Sequence, residues 1–377
     1  MIRHVLAAAA ALVLPRVALA QGTLGSQGLG FPVGQLSTHA RGTAGAIAEF
    51  DPVTGVNPAS LSTWGRAAIH VQFEPETRTT STAAGRDLTG ISRVPLLAEG
   101  IGLGERVAIG LNVSSFLDRS WETLFSGTQI VGRDTARFVD RNGVRGAIAD
   151  TRFLVGVALP AGVRVGAALH AFTGEHRIRS ARSYDTASAF VSFSSSQTVR
   201  FAGRAASLGV TWQPVRWFGL AGSARFGGEI DAVNDAERFR AEGSIPNRFG
   251  IGARAEIARG LTLAARRERI SWTAMRPLIE SAVAVTDADE TAIGLEYLSP
   301  SMGRLPFALR LGTASRALPF CVAQAIVREQ VVAGGVGLVL AQGRFGVDVS
   351  YTSGRRSAPG NLSETAGTFS LGIIIRP

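Results

Sequence analysis

Arg106-Val107-Ala108-Ile109-Gly110-Leu111-Asn112-Val113-Ser114 sets Val, Ile, Leu and Val on odd positions and Arg, Ala, Gly, Asn and Ser on even ones. A period of two belongs to a β-strand with one apolar face and one small or polar face. The same contrast separates Phe249, Ile251, Ala253, Ala255 and Ile257 from Arg248, Gly250, Gly252, Arg254 and Glu256. It returns in Phe345, Val347, Val349 and Tyr351 against Arg344, Gly346, Asp348 and Ser350, and in Phe369, Leu371, Ile373 and Ile375 against Thr368, Ser370, Gly372 and Arg376. Segments of roughly ten residues with this pattern are what the strands of a membrane barrel require.

Two kinds of connection separate the strands. Gly- or Pro-rich turns fall at Gly100 to Gly104, Pro160-Ala161-Gly162, Gln213-Pro214-Val215, Ala258-Arg259-Gly260, Ser299 to Gly303 and Gln342-Gly343. Longer polar stretches run over Thr79 to Leu88, Ser126 to Gly146, His176 to Val199, Glu229 to Gly243, Thr273 to Asp287, Ala317 to Arg328 and Gly354 to Glu364. Alternating short and long connections suit a barrel with two unlike rims, whereas a soluble sandwich has no reason for them. The expected fold is all-β, a transmembrane antiparallel barrel of about fourteen strands.

Composition excludes much else. All 39 cations of the 377 residues are Arg, so lysine-dependent sites are absent, and a single Cys allows neither an internal disulfide nor a thiolate zinc site. Met1 to Ala20 opens with Arg3, runs apolar from Val5 to Leu14 and ends Val17-Ala18-Leu19-Ala20. That is the layout of an export signal. No later stretch is long and apolar enough for a spanning helix. The net charge of +10 raises nucleic acid as a partner. Dispersal of the Arg residues over alternating strands, together with export, argues against it.

Thr23 to Gly65 is rich in Gly, Ala, Ser and Thr and does not alternate. Irregular backbone at membrane depth survives only inside a lumen, so this segment is expected to be an internal plug. The chain therefore divides into a signal peptide at 1–20, a plug at 21–66 and a barrel at 67–377. Within the plug lie Ala40-Arg41-Gly42-Thr43-Ala44-Gly45-Ala46-Ile47-Ala48 and Asp51-Pro52-Val53-Thr54-Gly55-Val56-Asn57-Pro58-Ala59-Ser60-Leu61. This stretch resembles the plug of the FadL-like outer-membrane transporters of hydrophobic compounds, in which a Gly/Ala-rich turn leads to an Asn-Pro-Ala segment before the first of fourteen strands. PorV-type barrels share the layout. The resemblance implies a monomer in the outer membrane, inserted by the barrel assembly machinery and surrounded by lipid. It would passively admit fatty acids or aromatic hydrocarbons. The alternative is an accessory barrel of a secretion or surface-attachment system.

Neither HExxH nor GxSxG occurs, Gly100 to Gly104 is a turn and not a nucleotide loop, and no cofactor or metal is expected. His170 and His176, with Glu175, are close in sequence but lack a further ligand. A lumen Ser beside His170 could form a hydrolase, yet no spacing selects one, so the chain is read as a non-enzyme. The plug residues singled out are Gly45, Asn57, Pro58 and Ala59, where Pro58 fixes a backbone angle and Asn57 can bond locally. Arg164, Arg248, Arg254, Arg266 and Arg310 fall on polar faces, as possible contacts for an amphipathic ligand or partners in wall and plug ion pairs. Trp121, Trp212, Trp217, Phe218, Trp272 and Tyr297 fall near strand ends, as an interfacial girdle would.

Overall fold

The computed structural model describes residues 28, 30–65, 67–82, 85–131, 134–185, 190–234, 236, 239–279, 284–299, 306–322, 324–359 and 362–376. The expected signal peptide lies outside them, as does most of the Ser299 to Gly303 turn. In chain order the elements are β1 (Phe31–Pro32), α1 (Thr38–Gly42), β2 (Ala68–Thr82), β3 (Gly85–Leu103), β4 (Val107–Asp118), β5 (Trp121–Val131), β6 (Asp134–Ala158), β7 (Val163–Tyr184) and β8 (Phe193–Val215). They continue with β9 (Phe218–Asn234), β10 (Phe239–Ser244), β11 (Arg248–Ala258), β12 (Leu261–Ile270), β13 (Ala288–Leu298), β14 (Phe307–Val322), β15 (Ala325–Leu340), β16 (Phe345–Ala358) and β17 (Leu362–Ile375).

Neighbouring strands pair antiparallel, and β17 returns to β2 from Ile375↔Ile69 to Ser363↔Ser81, closing the sheet. Of the seventeen strands, β5 and β10 prolong the lines of β4 and β11, and β1 belongs to the interior segment. Fourteen remain in the closed wall. Closure pairs the strands around the whole circumference, which is how a sheet satisfies its backbone in lipid.

Alternation decides which side chain faces where. On β2, Ile69, Val71 and Phe73 are exposed on the outside, while His70, Gln72, Glu74, Glu76, Arg78 and Thr80 are buried inside. The four alternating segments keep the phase expected of them, with Phe249 and Ile251 out and Arg248, Gly250 and Gly252 in. The two unlike rims are also present. Tight turns at 104–106, 160–162, 216–217, 259–260 and 341–344 define a turn end, and the opposite rim is a hairpin end.

The polar stretches at the hairpin end are mostly strand and not loop. Ser126 to Gly146 falls largely within β5 and β6, and His176 to Val199 largely within β7 and β8. Above the apolar band both faces meet water, so the hydrophobic period vanishes while backbone pairing continues. The turn expected at Gln213-Pro214-Val215 sits slightly later, because β8 runs to Val215.

Residues 30–65 fill the lumen. Ser37 caps α1 by accepting from the Ala40 N–H at 3.0 Å. The chain leaves α1 through Ala44 and Gly45, both at positive φ, with the Gly45 N–H bonded to the Ala40 carbonyl at 2.8 Å. A glycine suits that left-handed position, and a side chain there would press on Leu36. A 3-10 turn over Pro58–Thr63 follows, and it ends just before β2.

Candidate functional site

The 3-10 turn begins with the singled-out triplet. Asn57 accepts from the Ala59 N–H at 3.0 Å and donates to the wall at the Val210 carbonyl, 3.2 Å away. Pro58 takes the first position, where no N–H is needed. Ala59 is fully buried. The turn lies on Gly156, Gly166 and Gly209, successive register partners across β6, β7 and β8. A methyl group at Gly166 would overlap Pro58, one at Gly209 would overlap Asn57, and one at Gly156 would come within 2.8 Å of the Ser62 nitrogen. Gly294 and Gly312, also register partners, receive Thr43 in the same way. The wall glycines form the socket of the plug.

Charges complete the seat. Glu49 of the plug, with no exposed surface, meets Arg248 at 2.6 Å and Arg266 at 3.4 Å, and accepts from Ser223 at 2.7 Å. Glu268 pairs with both arginines, and Glu290 with Arg266 at 2.9 Å. Arg310 lies between Glu296 at 2.6 Å and Asp348 at 2.5 Å, and Glu296 also holds His39 of α1 at 2.6 Å. Arg41 pairs with Glu74. Removing one partner from such a buried pair costs about 3–5 kcal/mol because the other charge is stranded.

His39 and Asp51, 3.7 Å apart, favour each other's charged forms. Burial and Arg310 pull the His39 imidazole down, but the carboxylates of Glu296 and Asp51 outweigh them and hold it up at about 10. Burial alone would raise Asp51, whereas the nearby charge of His39 and hydrogen bonds from Ser37 and Thr54 keep it below the usual carboxylate range. At neutral pH the plug is thus clipped to the wall by a charged imidazole.

The five singled-out arginines divide into two groups. Arg248, Arg266 and Arg310 are engaged in these ion pairs. Arg164 and Arg254 line a cavity of about 290 Å³ near the turn end, with His39, Phe50, Asp51, Trp212 and Glu296 among its other walls. The Arg254 guanidinium lies 4.8 Å from the centre of the Phe50 ring.

A second compartment lies toward the hairpin end. In the β4–β6 ladder the register shifts between Ser115 and Leu117, and this bulge turns both Phe116 and Leu117 inward. Phe116 packs on Phe172 at 4.9 Å and on Trp272 at 5.2 Å between ring centres. Met275, Ile230, Ile245 and Ile148 complete the apolar cluster. Trp272, expected in the interfacial girdle, is instead buried here, because the chain leaves β12 and turns over the lumen as a 3-10 segment, Trp272–Leu278. Arg225 stands against this cluster, its guanidinium 5.1 Å from the Phe116 ring centre and 5.7 Å from that of Phe172. Its Nη2 has no hydrogen-bond partner among the described residues. The sequence reading missed Arg225, although it continues the inward phase of Ala221 and Ser223 on β9.

The histidines separate. Alternation buries His170 and His176 but exposes Glu175 on the outside, so the three do not converge. His170 sits between Asp150, 2.9 Å from Nδ1, and Ser207, 2.9 Å from Nε2. That is the connectivity of an acyl-transfer relay. Asp150 is shared with Arg152 at 3.0 Å and Gln35 of the plug at 3.0 Å. Mid-strand backbone N–H groups, which an oxyanion would need, are engaged in the ladders. The row joins plug to wall.

The wall itself is interrupted beside the apolar compartment. β3 pairs with β4 only from Leu96↔Ser114 to Leu103↔Val107, and β5 pairs with β6 alone. Among the described residues no ladder joins the 85–95 stretch of β3 to β5. At the foot of this break Arg93 reaches Asp118 at 3.4 Å, and β1 of the plug pairs with β4 as Phe31↔Asp118 and Pro32↔Leu117. The Phe31 ring lies under Arg356, Arg316 and Arg78, at 4.4, 5.1 and 5.2 Å from its centre.

Neither a protein-family model nor a curated protein matches the sequence. Solved structures do match the fold. A Pseudomonas aeruginosa FadL homologue aligns over 92% of this chain and 99% of its own, with a TM-score of 0.66 at 12% identity. This chain has the FadL-type fold. The CymD monoaromatic hydrocarbon channel aligns over 91% and 97% of the two chains, with a TM-score of 0.58 at 14% identity. The toluene transporter TodX of P. putida aligns over 86% and 94%, with the same score and identity. Across this FadL-type fold, identities this low carry the architecture alone.

Proposed function

We propose that the chain is an outer-membrane channel for passive uptake of hydrophobic or amphipathic small molecules, of the fatty-acid or aromatic-hydrocarbon class. One observation carries this reading: the unpaired stretch of the wall between β3 and β5 stands beside the buried cluster of Phe116, Phe172, Trp272 and Met275. A solute entering there meets an apolar compartment before the plug, with Arg225 placed to take a polar end. Beyond the plug lies the cavity with Arg164 and Arg254. Binding in the first compartment has to be reversible for passage, and nothing in the path needs catalysis. Neighbours of this fold named as monoaromatic hydrocarbon channel and toluene transporter support the solute class.

The test is uptake of labelled oleate and labelled toluene by cells with and without the protein. Faster entry of at least one, reduced several-fold in Phe116→Asp, is the expected result. Equal uptake of both with and without the protein would remove the channel reading, and co-purification with a secretion complex would then favour the accessory role.

A further inference from the structure

The outer surface is uneven in charge. On β6, β7 and β8 the outward residues begin at the turn end as Val157, Val155 and Phe153, as Val165 and Leu169, and as Trp212, Val210 and Leu208. Small residues follow: Ala149 and Ala147, Ala171 and Thr173, Ala206 and Ala202. Then the same faces turn basic, with Arg145 and Arg141 on β6 and Arg177 and Arg179 on β7, while on β8 Arg204 and Arg200 alternate with Ala206 and Ala202, all the arginines exposed. From Trp212 to Arg200 the strand climbs about 40 Å, or about 30 Å along the barrel axis at the usual tilt. An apolar band is about 25 Å tall, so Arg200 stands at its upper border, as do Arg145 and Arg177 at the matching height on β6 and β7, while Arg204, opposite Ala171, lies lower.

Register sharpens the point. Arg145 lies directly opposite Arg177. Like charges so placed repel, a cost the fold bears where an anion offsets it. Among the described residues the carboxylates on these faces are fewer than the arginines: Glu122 reaches Arg141 at 3.2 Å and Arg145 at 3.7 Å, Glu175 reaches Arg177 at 3.3 Å and lies opposite Arg200, and Glu229 reaches Arg204 at 3.7 Å. Elsewhere on the same rim Arg269 meets Asp287 at 3.9 Å and Arg328 meets Asp289 at 3.0 Å.

We propose that this sector binds the phosphate groups of a multiply phosphorylated glycolipid in the outer leaflet, through Arg145, Arg177 and Arg200. The proposal rests on the reading of the chain as an outer-membrane barrel with its hairpin end outward. A lipid fits both halves of the surface. Its acyl chains lie along Phe153, Leu169 and Leu208, and its phosphates meet planar guanidinium forks suited to bidentate contact. A soluble anion would use only the upper half.

The experiment mixes detergent-purified protein with lipid A, which carries two phosphates, and reads retention by native mass spectrometry against phosphatidylethanolamine. Preferential lipid A retention is expected, lowered at least tenfold in R145E/R177E, with heat-modifiable migration and solute uptake unchanged. The control R267E/R269E, on β12, should retain lipid A as the parent does. Equal retention by R145E/R177E and the parent would overturn the proposal, as would equal loss in the control. Complete displacement by millimolar pyrophosphate would assign the site to free anions and overturn it too. Failure of solute uptake with lipid A retention intact would strike the channel reading alone, and a chain soluble without detergent would strike the barrel placement beneath both.

Discussion

His39 carries its proton at a position where burial alone would remove it. Its value of about 10 in the folded chain exceeds the ordinary 6.5, so protonation stabilises the seated plug. That contribution is complete below about pH 6.5 and is lost as the pH rises toward 10. Protease cleavage within the plug should therefore accelerate as the pH is raised from 6 to 10.5, and His39→Gln should flatten the slope. Parallel slopes for the two proteins would mean that the clip lies elsewhere. Glu49 belongs to the same scale, since its two oxygens hold Arg248, Arg266 and Ser223 on three strands.

At the scale of elements, the 3-10 turn of the plug and the glycine row of β6, β7 and β8 form one fitted pair. Gly209→Val would place its side chain on Asn57. Overpacking of this kind costs about 1–3 kcal/mol, and here it can be relieved by lifting the turn out of its groove. The expected outcome is a folded barrel with larger single-channel conductance in planar bilayers and faster plug proteolysis. Gly222→Val, whose new Cβ would meet only ordinary contacts, should leave both unchanged. Conductance equal to that of the parent in Gly209→Val would show that the turn does not occlude the path.

Strand alternation was legible because one face is apolar, and the phase of Arg248 or Asp348 followed from it. The plug was legible for the opposite reason, as Gly/Ala-rich chain without a period. Leu117 and Trp272 were not, since a bulge inverts the local phase at Leu117 and a 3-10 segment carries Trp272 off its strand. Neither event changes composition. Arg248, Arg266 and Arg310 were legible as lumen groups, but their partners come from register and from the plug, which spacing within one strand does not reveal.

For the whole molecule, the proposed uptake route makes the break between β3 and β5 a doorway and the β1 segment at its foot its sill. A disulfide between Pro32→Cys and Leu117→Cys, register partners, would fix the sill to β4 in a background where the free Cys321 is replaced by Ser. Uptake should fall several-fold when this pair is oxidised and recover on reduction. Undiminished uptake in the oxidised protein would mean that the N-terminal part of the plug stays still during passage.

The plug ends at Thr63 and β2 begins at Ala68, so the tether between them is only a few residues long. Yet the plug is gripped by strands from across the chain: Asn57 by β8, Glu49 by β11 and β12, His39 by β13, and Thr38 by Ser370 of β17 at 2.9 Å. The seam of β17 on β2 closes the sheet beside the strand to which the plug is tethered. In the closed barrel the plug is therefore enclosed by the wall and tied at the seam itself, so it cannot leave the bore without giving up contacts to β8, β11, β12, β13 and β17 together.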